Sequence, residues 1–259
     1  MLPELAAALD GRDDSLVFNE RDDHRQRLED LDAGRLAAMD AQGIDVSIIA
    51  LTPPGTQALA AEDAVRLSRS ANDAAAAAVA RHPFRLRSLS TLPMSSPDDV
   101  AAELERSARL GHVGAMVYGR SGDLMLDDPA YHPFFAAAER LRQPVFVHPQ
   151  LPSTLQRDAA YRGFDAATDL ALATFGWGWH VDAGLAALRL ILCGTFDRHP
   201  DLQIVLGHWG ELLLFWLDRA DSLSRVAGLQ RPVSDYIRSN VYITASGCST
   251  QHCWTTRCQ

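Results

Sequence analysis

Two histidines in this sequence stand where a parallel α/β sheet would place its chemistry. Pro144-Val-Phe-Val-His148 and Leu202-Gln-Ile-Val-Leu-Gly-His208 are short apolar runs that each end on a histidine. Continuous apolar runs of this length suit strands buried on both faces. In a parallel barrel, catalytic groups gather at the C-terminal ends of such strands. Each histidine is followed by a rigid or small element, Pro149 after His148 and Trp209-Gly210 after His208. Two imidazoles delivered to one mouth could ligate a divalent metal or act as general acids. Three positions beyond His208, Glu211 opens a run read as a helix over Glu211–Ser224. Its carboxylate could favour the helix N-terminus or could orient His208. For any single histidine a structural or surface role is the commoner one. The matched placement at two strand ends is what distinguishes this pair.

The remaining histidines carry less. His24, His82 and His112 lie in polar or helix-boundary contexts and read as solvated. His132 and His199 each precede a proline, which suggests turn geometry. His180 closes the aromatic, glycine-rich stretch Phe175-Gly-Trp-Gly-Trp-His180, which could be the wall of a substrate pocket or a lid packed on the sheet.

The elements that must position these groups alternate strand and helix, the pattern of βαβ units. Strands are expected at Val46–Leu51, Leu86–Leu92, Gly114–Tyr118, Pro144–His148, Leu202–His208 and Asn240–Thr244. Helices are expected at Arg35–Gln42, Leu59–Arg81, Asp98–Leu110, His132–Arg142, Gly184–Phe196 and Glu211–Ser224, with an irregular stretch from Pro149 to His180. The chain has 259 residues, 47% of them hydrophobic. A single α/β barrel needs about 250, and no linker or repeat divides residues 1–259, so one domain is expected.

A net charge of −9 argues against a polyanionic partner such as nucleic acid. The longest apolar run, Leu212–Leu217, is too short to span a bilayer. The start lacks the basic region of a signal peptide. Three of the four cysteines, Cys248, Cys253 and Cys258, crowd the last dozen positions, so they form no secreted framework and a cytoplasmic location is expected.

The segment Gly194-Thr-Phe-Asp-Arg-His-Pro-Asp-Leu-Gln-Ile-Val-Leu-Gly-His-Trp-Gly-Glu211 closely resembles the matching stretch of the amidohydrolase-related decarboxylases. This is the branch of the metal-dependent amidohydrolase superfamily that holds γ-resorcylate and 2,3-dihydroxybenzoate decarboxylases. Val145-Phe-Val-His-Pro149 resembles their strand ending in a metal-binding histidine, Asp45–Gln57 their second strand and its loop, and Tyr242–Gly247 their seventh strand. The resemblance runs from about Arg35 to Gly247. It implies a (β/α)8 TIM-type barrel, a divalent metal ion (zinc, manganese or magnesium), and non-oxidative loss of carbon dioxide from a hydroxybenzoate-like acid. It also implies His148 as metal ligand, His208 as the proton-transfer residue, and Glu211 as its support. The implied partner is a small aromatic carboxylic acid, with nucleic acid and membrane excluded and a homo-oligomer allowed.

The family's first strand carries a metal-ligating glutamate in a Glu-x-His motif, and its eighth an aspartate. Nothing in Met1–Gly34 matches the first, Phe18-Asn-Glu20 being the nearest run, and the chain as given stops before the second. The barrel is therefore expected to be truncated at both ends. The last residues, 247–259, lack helical periodicity and read as an aberrant tail. A zinc site at Cys248, His252, Cys253 and Cys258 is one explanation, and a shifted reading frame that restores a helix opening is the better one. Two other functional readings stand beside decarboxylation. One is a metal-dependent hydrolase on the same fold, and the other is an inactive truncated member.

Overall fold

Six parallel staves follow one another around a sheet in the order in which they occur along the chain. The computed structural model describes residues 3–9 and 23–246. The strands are β1 (Ser47–Ile49), β2 (Leu86–Ser88), β3 (Ser90–Thr91), β4 (Ala115–Tyr118), a short antiparallel hairpin of β5 (Arg120–Ser121) and β6 (Leu124–Met125), β7 (Val145–His148), β8 (Ile204–Leu206) and β9 (Val241–Ile243). β2 and β3 are one stave interrupted at Leu89. It pairs with β1 on one edge and with β4 on the other, and β4, β7, β8 and β9 continue in turn, every pairing parallel. Backbone bonds from Leu89 N to Ile49 O (2.9 Å) and from Ser90 N to Gly114 O (2.8 Å) carry the ladder across the interruption. This is the expected α/β barrel architecture.

The helices are α1 (Pro3–Leu9), α2 (His24–Glu29), α3 (Ala33–Ala41), α4 (Ala61–Arg81), α5 (Pro97–Arg109), α6 (His132–Leu141), α7 (Thr154–Ala160), α8 (Ala166–Ala173), α9 (Gly178–Leu192), α10 (Thr195–Arg198), α12 (Leu217–Ala227) and α13 (Val233–Asn240), with α11 (His208–Glu211) a single left-handed turn. One face of the sheet packs on them. Ala115, Val117, Val145, Val147, Ile204 and Leu206 join Phe134, Phe135, Leu190, Phe196 and Tyr236 in the main core. Side chains alternate across a strand, so the opposite face carries Met116, Phe146, Val205 and Tyr242 in one hydrogen-bonded row. His148 and Tyr118 sit on that face at the C-terminal end, paired across β7 and β4. Burying branched side chains on one face contributes about 1.5–3 kcal/mol each, and this fixes the register that sends His148 the other way.

The outermost strands each have one neighbour. Val46–Leu51 and Val241–Thr244 are therefore the free edges among the described residues, and at the strand midpoints Ile48 is 58% exposed and Tyr242 63% exposed. The two runs read as unmatched to the family, Phe18–Glu20 and the tail at 247–259 with its cysteines, lie outside the described residues, Ser246 being the last one described.

Four expectations need correction. Pro149–His180 is not irregular, because α7 and α8 occupy it. Ser153 caps α7 in a reciprocal capping box with Gln156, and Asp165 caps α8. Both helices are too short to show a period. The helix expected over Gly184–Phe196 begins earlier, at Gly178, and stops at Leu192, since Gly194 turns left-handed (φ 75°) before α10. Glu211 does not open a helix: regular helix starts only at Leu217, after a turn described below. α13, hidden between Pro232 and β9, was not expected. His112 is buried rather than solvated. Its Nε2 donates to Asn72 O and its Nδ1 accepts from the Ser88 hydroxyl, both at 3.1 Å, and burial holds it below the usual histidine range.

Candidate active site

Between β8 and α12 the backbone makes one turn of the wrong hand. His208, Trp209, Gly210, Glu211 and Leu212 have φ of 44°, 59°, 83°, 53° and 68°. Only glycine adopts this region without strain, and each L side chain there costs roughly 1–2 kcal/mol. The turn is held by bonds from His208 N to Ser246 Oγ (3.2 Å) and from Trp209 N to Thr244 O (2.9 Å). Its result is chemical. It folds the Glu211 side chain back beneath His208, fully out of solvent.

There Glu211 clamps two imidazoles. His208 Nδ1–H donates to Oε1 at 2.7 Å and His180 Nδ1–H donates to Oε2 at 2.8 Å. Burial works to raise the Glu211 carboxyl, but the two imidazole donors outweigh it and hold the group below its ordinary value, as the carboxylate. His180 also directs Nε2 at Phe175 O, 3.1 Å away. With both ring nitrogens facing acceptors, and the carboxylate bond leading, His180 titrates above the usual range. α9 can approach this closely because Gly184 has no side chain. A Cβ there would stand 2.4 Å from Glu211 O.

His148 completes the group. Its ring lies 6.0 Å from that of His208, and the His208 ring lies 4.9 Å from that of His180. Phe146 and Tyr118 flank His148, each at 5.9 Å. Nδ1–H donates to Pro149 O at 2.7 Å, which leaves the lone pair on Nε2. Burial depresses its pKa, so the ring stays neutral near pH 7.

A neutral imidazole with one N–H anchored and the other nitrogen free is the donor form that divalent metals take. His148 presents it, and His208 likewise has its Nδ1 anchored. His180, His208 and Glu211 offer ligand atoms within 4.8 Å of one another, yet both nitrogens of His180 and both oxygens of Glu211 are already engaged. Among the described residues a divalent ion could be held through Nε2 of His148, with His208 beside it, and its further ligands would have to come from elsewhere.

All three residues singled out from the sequence, His148, His208 and Glu211, come together. His180, left open as wall or lid, joins them as Glu211's second partner. Other polar groups of this mouth were missed. Tyr118 could have been found by the strand-end rule that found His148. Gln57, Arg120, Gln150 and Asp182 carry no such signal, being brought together only by loops distant in sequence. Among the described residues, no helix is long and apolar enough to cross a membrane.

The amidohydrolase family model matches residues 15–232. γ-Resorcylate decarboxylase of Rhizobium radiobacter is 38% identical over 237 residues, spanning 86% of this chain and 71% of that protein. The crystal structure of 2,6-dihydroxybenzoate decarboxylase complexed with 2,6-dihydroxybenzoate superposes with a TM-score of 0.83 at 33% identity, covering 98% of this chain and 80% of that one. A dihydroxybenzoic acid decarboxylase from Polaromonas sp. JS666, with bound manganese and the inhibitor 2-nitroresorcinol, gives a TM-score of 0.83 at 33% identity, over 93% and 76% of the two chains. With a parallel barrel sheet, a histidine cluster at its C-terminal mouth and these matches over most of its length, the chain belongs to the amidohydrolase family.

Proposed function

We propose that this site removes carbon dioxide, without oxidation, from an aromatic acid bearing a phenolic hydroxyl, with a divalent metal held through His148. The observation that carries the reading is the buried carboxylate of Glu211 fixing the protonation pattern of His208, beside a neutral His148. His148 would hold a divalent metal ion, which would supply positive charge to stabilise the substrate's oxygen atoms.

The protein's own groups do the rest. Protonating the ring carbon that bears the carboxylate interrupts aromaticity, so the acid must be positioned and its conjugate base stabilised. Glu211 keeps a proton on Nδ1 of His208, which makes Nε2 the atom that gives and regains the transferred proton. When Nε2 is protonated, the adjacent carboxylate stabilises the imidazolium. The proton passes from Nε2 to the ring carbon, the carbon–carbon bond breaks, and its electron pair restores the ring as carbon dioxide leaves. His180, bonded to the other oxygen of Glu211, holds that carboxylate in place. For location we propose the cytoplasm, the default for a chain whose cysteines form no secreted framework.

The test is carbon dioxide release from a panel of hydroxybenzoates with manganese, run in heavy water. The expected result is metal-dependent release with deuterium at the vacated ring carbon. His208→Asn should lower kcat by at least about 100-fold, in the range typical of general acid catalysis. Hydrolysis of esters or lactones with no carbon dioxide from any acid would overturn the proposal in favour of the hydrolase.

A further inference from the structure

Four polar atoms at the same mouth are buried without a protein partner: Nε2 and Oε1 of Gln57, Nε of Arg120, and Oδ2 of Asp182. Gln57 and Asp182 are each 7% exposed. Buried polar groups are almost always satisfied. Here the unsatisfied ones collect on three elements that touch one another. The Ser121 hydroxyl donates to Gln57 O (3.1 Å), Gln150 Nε2 donates to Arg120 O (3.2 Å), and Arg120 Nη2 donates to Leu151 O (2.7 Å). Asp182, on the first turns of α9, presses against the same hairpin. A Cβ on Gly119 would lie 3.4 Å from its Oδ2. The loops after β1, β4 and β7 are thus tied into a frame whose remaining donors and acceptors have nothing of the protein to meet.

The frame also sits at a telling place. Tyr118 and His148 are paired across β4 and β7, and Arg120 and Gln150 lie two residues further along each chain. We propose that Gln57, Arg120 and Asp182 form a polar subsite for a phenolic hydroxyl on the ring edge remote from His148. The proposal rests on the decarboxylase reading above and deepens it by naming the substituent selected. The chemistry favours a hydroxyl over a second carboxylate. The subsite holds one cation, one carboxylate and one neutral amide, so a second anion would face Asp182. A hydroxyl can donate to Asp182 Oδ2 while accepting from Arg120 Nε or Gln57 Nε2. A site built to hydrogen-bond a hydroxyl discriminates strongly against the analogue lacking it.

The test pairs binding with turnover. Affinities of the manganese-loaded protein for resorcinol and phenol are measured by calorimetry. Carbon dioxide release is measured from the matching acids, 2,4-dihydroxybenzoate and 2-hydroxybenzoate. The wild type should bind resorcinol about 10–100-fold more tightly than phenol, and Asp182→Asn and Arg120→Met should each bring that ratio to within about threefold. Gln57→Leu replaces either variant if its thermal unfolding shows that it has not folded. No preference in the wild type, or a preference unchanged in the folded variants, overturns the subsite. A preference lost in the variants, with no carbon dioxide from either acid, keeps the subsite and removes the decarboxylase reading. Equal release from both acids by wild type and variants keeps decarboxylation and removes the subsite.

Discussion

Asp182 is buried beside Arg120 and Gln150, and its carboxyl is pushed up to about 6 from an ordinary 3.8. Burial is the main cause, and the guanidinium and the amide only partly oppose it. Below pH 3.8 the group is neutral in both the folded and the unfolded chain and contributes nothing. Between pH 3.8 and about 6 the unfolded chain ionises it while the folded chain resists, so stability falls as pH rises. Above about 6 the full penalty is present. At about 1.4 kcal/mol per pH unit, the gap amounts to about 3 kcal/mol at pH 7. Asp182→Asn keeps the shape and removes the charge. We expect it to be no more stable than wild type at pH 4 and about 2–3 kcal/mol more stable at pH 7, a rise in midpoint of roughly 4–12 °C for a chain of this size. Thermal and urea unfolding of both proteins from pH 4 to 8 measure it, and contributions from other titrating groups cancel in the difference. A difference that is flat with pH, or one that favours the wild type at pH 7, would refute the reasoning. Paired with the loss of resorcinol selectivity, it would mark a position where binding is held at the expense of stability.

Other outcomes follow from the site's geometry. His148→Ala should lower manganese affinity at least about 10-fold and abolish metal-stimulated carbon dioxide release, read by equilibrium dialysis and by assay. Glu211→Gln leaves two imidazoles with one acceptor. It should lower stability by about 2–4 kcal/mol and kcat by at least about 10-fold, with unfolding and turnover measured on the same preparation. Gly184→Ala drives a Cβ against Glu211 O. It should cost about 1–3 kcal/mol and reduce kcat more than the neighbouring Ala183→Gly, which adds no atoms.

What could be read in advance depended on how local the cause was. β7 and β8 are short apolar runs whose burial is written in consecutive residues, so the histidines at their ends could be placed before any coordinates. The turn at 208–212 could not. His208, Trp209, Glu211 and Leu212 have no preference for positive φ, and they adopt it because Ser246, Thr244 and two histidines hold them there. An amphipathic reading of Glu211–Ser224 therefore placed Glu211 at a helix start when it lies inside a strained loop. His112 failed for a similar reason, since its partners Ser88 and Asn72 lie 24 and 40 residues away. Gln57, Arg120 and Asp182 show the limit most clearly. Each is an ordinary polar residue in sequence, and only the meeting of three loops makes it an unsatisfied buried group.

The left-handed turn at His208–Leu212 also acts as a clock. Four L residues held at positive φ store roughly 4–8 kcal/mol, a large share of the 5–15 kcal/mol by which domains are usually stable. A gene copy released from selection for chemistry would gain by relaxing that turn, and substitutions there that break the Glu211 clamp would be among the first to spread. The clamp is intact in this chain. Sequences of near relatives across 208–212 would read that clock directly.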